Sequence, residues 1–234
     1  MSPQRCLVVG AASGIGRAAA ARLHRQGDAV LGADVPGASW ADAIDHLPID
    51  VVDEASVAIA VAAAEERLGG LDVVVNTAGI LGAVQPSAAE SVAEFERIVR
   101  INLTGAFLVS RAVLPGMAER GYGRLVHFSS TAGKEGVAGM TAYSASKAGV
   151  MGLVKALAKE YADSGITVNA VAPGKVATPL TAGLPPTEAE LARIPLQRYG
   201  TAEEAAALVG WIVSPDASYT TGAVYDLSGG RASY

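Results

Sequence analysis

The sequence predicts an α/β fold: a doubly wound, parallel seven-stranded sheet with helices on both faces, in a three-layer sandwich. Three observations predict it. Short apolar runs alternate with longer amphipathic or alanine-rich segments, the pattern of strands joined by crossover helices. A glycine-rich turn, Gly10 to Gly16, follows the first apolar run and opens the first helical segment. The 234 residues are half hydrophobic, with 27 glycines and only 5% aromatics. That is enough apolar material for one core in a single domain over residues 1–234.

Taken in order, Cys6–Val9 is the first strand candidate and Ile15–Gln26 the first helix. Ala29–Asp34, Leu47–Ile49 and Asp72–Asn76 read as the next strands, bounded by Gly, Pro and Asp. The connection from Asp34 to Leu47 leaves room for at most a short helix. Glu54–Leu68 is helical with Asp53 as its N-cap, and Val92–Glu119 reads as one long helix. Then come the strand Arg124–Phe128, the helix Tyr143–Asp163 and the strand Thr167–Val171. The helix Ala202–Val213, capped by Thr201, precedes the last strand, Ala223–Leu227. Thr178–Gln197 is poorly patterned and punctuated by Pro179, Pro185, Pro186 and Pro195. An insertion of this kind between a strand and a helix reads as a short substrate lid.

Charge and cysteine usage exclude several classes of function. A net charge of −5 without lysine or arginine runs argues against a nucleic-acid partner. The longest uninterrupted apolar run, Val57 to Ala64, falls far short of the ~18 residues of a membrane span. No signal peptide is visible before the first strand. The single cysteine, Cys6, sits in an apolar run as a buried thiol and suits a reducing compartment, so the chain reads as cytoplasmic. His24, His46 and His127 lack metal-ligand spacing, and no metal is expected.

The chemistry is concentrated in Ser130, Tyr143 and Lys147. Tyr143 and Lys147 stand at i and i+4 and share a helix face. A phenol titrates near pH ~10, and a neighbouring ammonium favours its ionised form, which suits moving the proton of an alcohol. Taken alone, the pair reads more readily as a core tyrosine beside a solvated helix lysine. The glycines Gly10, Gly14 and Gly16 let the backbone approach a pyrophosphate at a helix N-terminus, the mark of a Rossmann-type sheet. Asp34 ends the second strand 18 residues after Gly16. Its carboxylate can accept hydrogen bonds from both adenosine ribose hydroxyls and would repel a 2′-phosphate, and Val35 follows rather than an arginine. NAD is favoured over NADP. Asp34 as a plain strand-end turn residue is the alternative. Arg17 reads as a phosphate contact or a helix-surface charge.

As a set, these residues resemble the short-chain dehydrogenase/reductase superfamily, and the matches span nearly the whole chain. They are Gly10-x3-Gly14-x-Gly16, Asp50-Val51, Asn76-Thr77-Ala78-Gly79, Asn102, then Ser130, Tyr143 and Lys147, and finally Pro173-Gly174-x3-Thr178-Pro179. The resemblance implies that Tyr143 is the general base in alcohol oxidation and the acid in ketone reduction. It implies that Lys147 lowers the tyrosine pKa and holds the nicotinamide ribose, and that Ser130 binds the substrate oxygen. Asn102 would perturb its helix and hold a proton-relaying water; an ordinary buried amide is the alternative. Ser13 and Ile15 join the glycines at the pyrophosphate. Asp50 and Val51 would contact adenine, while Asn76, Ala78 and Gly79 line the cofactor groove. Pro173, Gly174, Val176 and Thr178 would orient the nicotinamide carboxamide. Val9 and Thr77 depart from the family pattern, where threonine and asparagine are commoner, and so put the rigidity of the cofactor loop in question.

Specificity is expected from Ile80–Pro86, Ala132–Met140 and Lys175–Gln197. Lys134 and Lys175 stand at the mouth as surface charges or as contacts to a carboxylate or phosphate. The stretches Ser130–Gly136, Ala192–Leu196 and Tyr225–Tyr234 are similar to a bacterial branch of deoxy-sugar-acid dehydrogenases, often labelled 3-oxoacyl-carrier-protein reductases. The leading expectation is therefore an NAD-dependent dehydrogenase of a sugar acid or polyol-like secondary alcohol, working as a homotetramer as the family does. An NADPH-dependent 3-oxoacyl or carbonyl reductase is the alternative. A non-catalytic dinucleotide sensor is a third reading, disfavoured because no catalytic side chain is missing.

Overall fold

The computed structural model describes residues 3–40, 44–182 and 186–232. Its strands are β1 (Arg5–Val9), β2 (Ala29–Asp34), β3 (His46–Pro48), β4 (Val73–Asn76), β5 (Gly123–Phe128), β6 (Ile166–Pro173) and β7 (Val224–Leu227). They form one parallel sheet in the order β3-β2-β1-β4-β5-β6-β7. The helices are α1 (Gly14–Arg25), α2 (Glu54–Leu68), α3 (Val92–Val99), α4 (Gly105–Arg120), α5 (Thr131–Glu135), α6 (Thr141–Glu160), α7 (Glu188–Ala192) and α8 (Ala202–Ile212).

Alternation along the strands explains the three layers. Leu7 and Val9 point to one face, where they meet Val57 and Val61 of α2, Val109 and Val113 of α4, and Val150 and Val154 of α6. Cys6 and Val8 point to the other, against Leu23 of α1 and Val209 and Ile212 of α8. Burial pushes the Cys6 thiol pKa up, so it packs as a small hydrophobe. Strand order reverses between β1 and β4, and a crevice opens there beyond the carboxyl ends of the strands.

Asp53 caps α2 by accepting from the Ala55 and Ser56 amides, and Thr201 forms a capping box with Glu204 on α8, both as predicted. The predicted helix Val92–Glu119 is interrupted. A π turn, Arg100–Thr104, separates α3 from α4, with Asn102 buried at its centre. By length and composition the run Val92–Arg120 could cross a membrane, which counting uninterrupted apolar runs had not indicated. Its apolar residues, among them Val109, Leu114 and Met117, pack into the sheet core.

The Thr178–Gln197 segment holds a 3-10 turn at Pro179–Thr181 and the short α7, started by a Thr187–Glu190 capping box. Residues 183–185 of that segment and 233–234 of the tail lie outside the described residues.

Candidate active site and dinucleotide groove

One cleft of about 820 Å³ runs along the carboxyl edge of the sheet, a volume suited to small-molecule ligands. Gly10, Ser13, Gly14, Ile15 and Gly16 form one end of its wall, with Asp34, Asp50 and Val51 beside them. Ala78 and Gly79 line its middle, and Ser130, Tyr143 and Lys147 lie beyond. Pro173, Gly174, Val176 and Thr178 close the side below the lid. The three loops expected to set specificity all reach it, through Ile80, Leu81 and Val84, through Val137 and Met140, and through Lys175 and Leu180.

The glycine turn is shaped for close approach. Gly10 and Gly14 have φ of 81° and 53°, and a Cβ at Gly16 would lie 2.1 Å from the Gly10 carbonyl oxygen. Helix α1 has no side-chain cap and no acidic residue in its first turn, and its first helical bond runs from the Arg17 amide to Ser13 O. The preceding amides are thus available to an anion. The Asp34 carboxylate is fixed by the Ala12 amide at 2.9 Å and the Val35 amide at 2.8 Å, and each of its oxygens keeps lone pairs for further donors. These residues fit a dinucleotide with free ribose hydroxyls.

Thr77 answers the question raised by the two departures from the family pattern. Its hydroxyl lies 2.8 Å from the Val9 carbonyl and 3.2 Å from that of Gly10. The tether expected from a side chain at the end of β1 is supplied by the residue after β4 instead, so the loop is held.

Asn76 corrects the sequence reading. It does not line the groove; its side chain is buried behind it. Asn76 Nδ2 lies 3.2 Å from His127 Nδ1, and its Oδ1 accepts from the Ala78 amide at 3.2 Å. His127 Nε2 lies 2.8 Å from Ser110 Oγ, which donates its own proton to the Ala106 carbonyl. Nε2 therefore carries the imidazole proton and Nδ1 accepts from Asn76. Complete burial pushes the His127 pKa down to about 3, keeping the ring neutral. The chain of bonds fixes which way the Asn76 amide faces, and so braces the Ala78 backbone at the groove.

Asn102 also stands behind the cleft. Oδ1 accepts from the Ile80 amide at 2.8 Å, while Nδ2 donates to the Ile80 carbonyl at 2.9 Å and to Ser146 Oγ at 3.1 Å. Ser146 in turn donates to the Tyr143 carbonyl at 2.8 Å. The π turn thereby clamps the loop after Gly79 and the helical turn carrying Tyr143 and Lys147. A Cβ on Gly79 would sit 3.1 Å from both Asn102 Oδ1 and Lys147 Nζ.

Ser130 ends the β5 connection and caps α5, accepting from the Ala132 amide at 3.1 Å. Its side chain is near enough to Tyr143 to favour the ionised phenol. Gly133 lets α5 rest directly on α6, since a Cβ there would meet the Ala148 amide at 2.7 Å. Lys147 is buried, with Nζ donating to the Phe128 carbonyl at 2.8 Å and lying 5.8 Å from the Tyr143 ring centroid. Desolvation pulls the lysine down to about 8. Tyr143 moves the opposite way from the expectation: burial raises its pKa and outweighs the bond from Ser130. Burial by itself thus favours the protonated phenol.

Lys134 is not a surface charge. Its side chain is 5% exposed and pairs with Asp226 at 3.3 Å. Lys175 lines the cleft, paired with Glu190 at 3.0 Å. Thr181 Oγ1 donates to the Val176 carbonyl at 2.8 Å, so that carbonyl already has a partner within the protein. The bracing by His127, the Thr181 bond and individual roles for the cleft-lining Arg193 and Arg231 escaped the sequence reading. Arg193 lies in the stretch expected to set specificity and Arg231 in the tail, but they are far apart in sequence and nothing there pairs them.

Comparison with known proteins agrees with this geometry. A family model described as enoyl-(acyl carrier protein) reductase matches residues 10–232. The chain is 42% identical to a 2-dehydro-3-deoxy-L-rhamnonate dehydrogenase (NAD(+)) of Sphingomonas sp. strain SKA58, covering 98% of this chain and 96% of that one. It is 37% identical to a 3-oxoacyl-(acyl-carrier-protein) reductase of Thermotoga maritima, covering 96% of each. Among solved structures, a 3-ketoacyl-(acyl-carrier-protein) reductase from Brucella melitensis complexed with NADH superimposes with a TM-score of 0.91 at 32% identity, over 97% of both chains.

Proposed function

Because the chain belongs to the short-chain dehydrogenase/reductase family, we propose that it moves a hydride between NAD and a secondary alcohol or ketone carbon of a sugar acid or polyol-like substrate. The observation that carries this reading is the convergence of Ser130, Tyr143 and Lys147 on the cleft that Asp34 and the glycine turn shape for a dinucleotide. Bound NAD would supply the hydride acceptor, held by the glycine turn and Asp34.

Ser130 Oγ holds the substrate oxygen against Tyr143. In the reducing direction the Tyr143 phenol, kept protonated by burial, donates its proton to the carbonyl oxygen as it gains charge. In the oxidising direction the phenolate takes the hydroxyl proton, and the Lys147 ammonium is the protein charge nearest to stabilise it. Asn102 and His127 act as positioning residues, through the Ile80 and Ala78 backbones respectively.

Asp34 and the relative named for NAD(+) both support NAD as the cofactor. The similarity to 3-oxoacyl reductases and the apolar wall of Ile80, Val137 and Met140 favour a second reading, an NADPH-dependent 3-oxoacyl reductase. That reading requires a 2′-phosphate beside Asp34. Turnover of 2-dehydro-3-deoxy-L-rhamnonate, polyols and hydroxy acids with NAD, against 3-oxoacyl thioesters with NADPH, decides between them. Faster turnover with NADPH and a thioester would overturn the first.

We also propose that the chain works in the cytoplasm as a homotetramer, with small molecules and neither nucleic acid nor membrane as its ligands. Exposed Val92, Phe95 and Phe107 on α3 and α4 support a subunit contact there. Light scattering at micromolar concentration tests the assembly; a monomer would refute it.

A further inference from the structure

The substrate end of the cleft has a charge pattern that the hydride chemistry does not use. Lys175 is matched by Glu190 at 3.0 Å, which also accepts from Tyr199 at 3.1 Å. Arg231, 13% exposed, is held by Glu135 at 3.1 Å. Arg193 lines the same cleft and has no counter-ion among the described residues.

Its location is fixed by packing on either side. The Leu196 amide donates to the Gly229 carbonyl at 3.2 Å, and a Cβ on Gly229 would meet Ile194 at 2.9 Å. The lid residues after α7 thus lie along the tail that ends in Arg231, and Arg231 is tied to Glu135 at the end of the helix that Ser130 caps. Arg193 therefore stands on the Ser130 side of the cleft, away from Asp34 and Asp50 at its opposite end.

Arg193 is exposed at the edge of the cleft, with no counter-ion among the described residues, and the fork of its guanidinium matches a carboxylate. We propose that Arg193 anchors the carboxylate of the substrate and that Arg231, oriented by Glu135, is the second donor. The proposal rests on the dehydrogenase reading and narrows its substrate to hydroxy acids over neutral polyols. The apolar residues Ile80, Val137 and Met140 would cover the carbon chain between carboxylate and reacting carbon.

The test is calorimetric titration of 2-dehydro-3-deoxy-L-rhamnonate and its methyl ester into Tyr143→Phe protein saturated with NAD, with and without Arg193→Gln or Arg193→Lys. Loss of one charge-assisted contact predicts that the acid binds about 10- to 100-fold more tightly than the ester. Arg193→Gln cuts that preference about tenfold, leaving the share that Arg231 supplies, and Arg193→Lys keeps more of it. Equal binding of acid and ester, a preference untouched by Arg193→Gln, or a loss confined to NAD affinity would each overturn the assignment. The titration does not depend on turnover, so an enzyme that discriminates acid from ester yet oxidises neither would sink the dehydrogenase reading alone.

Discussion

Lys147 Nζ donates to the carbonyl of Phe128, the last residue of β5, at 2.8 Å with its side chain buried. The bond ties the acid/base helix to the end of the central sheet, and burial draws the ammonium pKa down to about 8. Between that value and the ordinary lysine range the unfolded chain holds a proton the folded one has released. Stability contributed at this site therefore rises as pH increases from about 8, and the full penalty for burying the charge is felt below it. Thermal unfolding of wild type and Lys147→Met across that window should show their difference moving in favour of wild type as pH rises. A pH-independent difference would contradict the assignment.

His127 has the same sign in the acid range. Its pKa near 3 lies below that of an exposed imidazole, so stability is lost as pH falls from the usual histidine range toward 3. His127→Phe removes that dependence and frees the Asn76 amide to turn. The expected kinetic signature is a raised KM for NAD with a smaller change in kcat, because the brace ends on the Ala78 backbone. An equal effect on both parameters would point to general destabilisation.

Asn102→Ala should destabilise the fold by ~1–3 kcal/mol, since it leaves the Ile80 amide and carbonyl without their partner in a mostly buried place. Denaturant unfolding measures it, and a loss below ~0.5 kcal/mol would mean that the loop finds other partners.

Gly16→Ala is expected to abolish NAD binding, because the new methyl would overlap the Gly10 carbonyl and force the turn open. Thr77→Val is milder: it keeps the shape and loses the hydroxyl tether, costing ~1 kcal/mol in stability. Titration with NAD ranks the two, and wild-type affinity in Gly16→Ala would refute the cradle.

The sheet was legible because its signals are local: apolar runs bounded by turn residues, Asp53 and Thr201 as caps, and the glycine turn at β1. Most of the cleft wall was legible by motif. The errors have physical causes. Val92–Glu119 has unbroken helical periodicity and reads as one helix; the perturbation the resemblance implies at Asn102 is there as a π turn, but its form rests on tertiary bonds to Ile80 and Ser146. Asn76 was placed in the groove because a motif gives positions without side-chain directions; its partner, His127, is in register with it on the neighbouring strand β5. The i,i+4 spacing reveals the lysine near Tyr143 but not the burial that pushes the phenol pKa up. Arg193 and Arg231 come to line one cleft only through the folding of the lid against the tail.

The most direct test of the central claim is the appearance of NADH absorbance when NAD and 2-dehydro-3-deoxy-L-rhamnonate are mixed with wild type and with Tyr143→Phe, alongside NAD titrations of both. Removing the phenolic proton carrier should lower turnover by about 10²- to 10⁴-fold while leaving NAD affinity nearly unchanged. Wild-type turnover in Tyr143→Phe would contradict the mechanism.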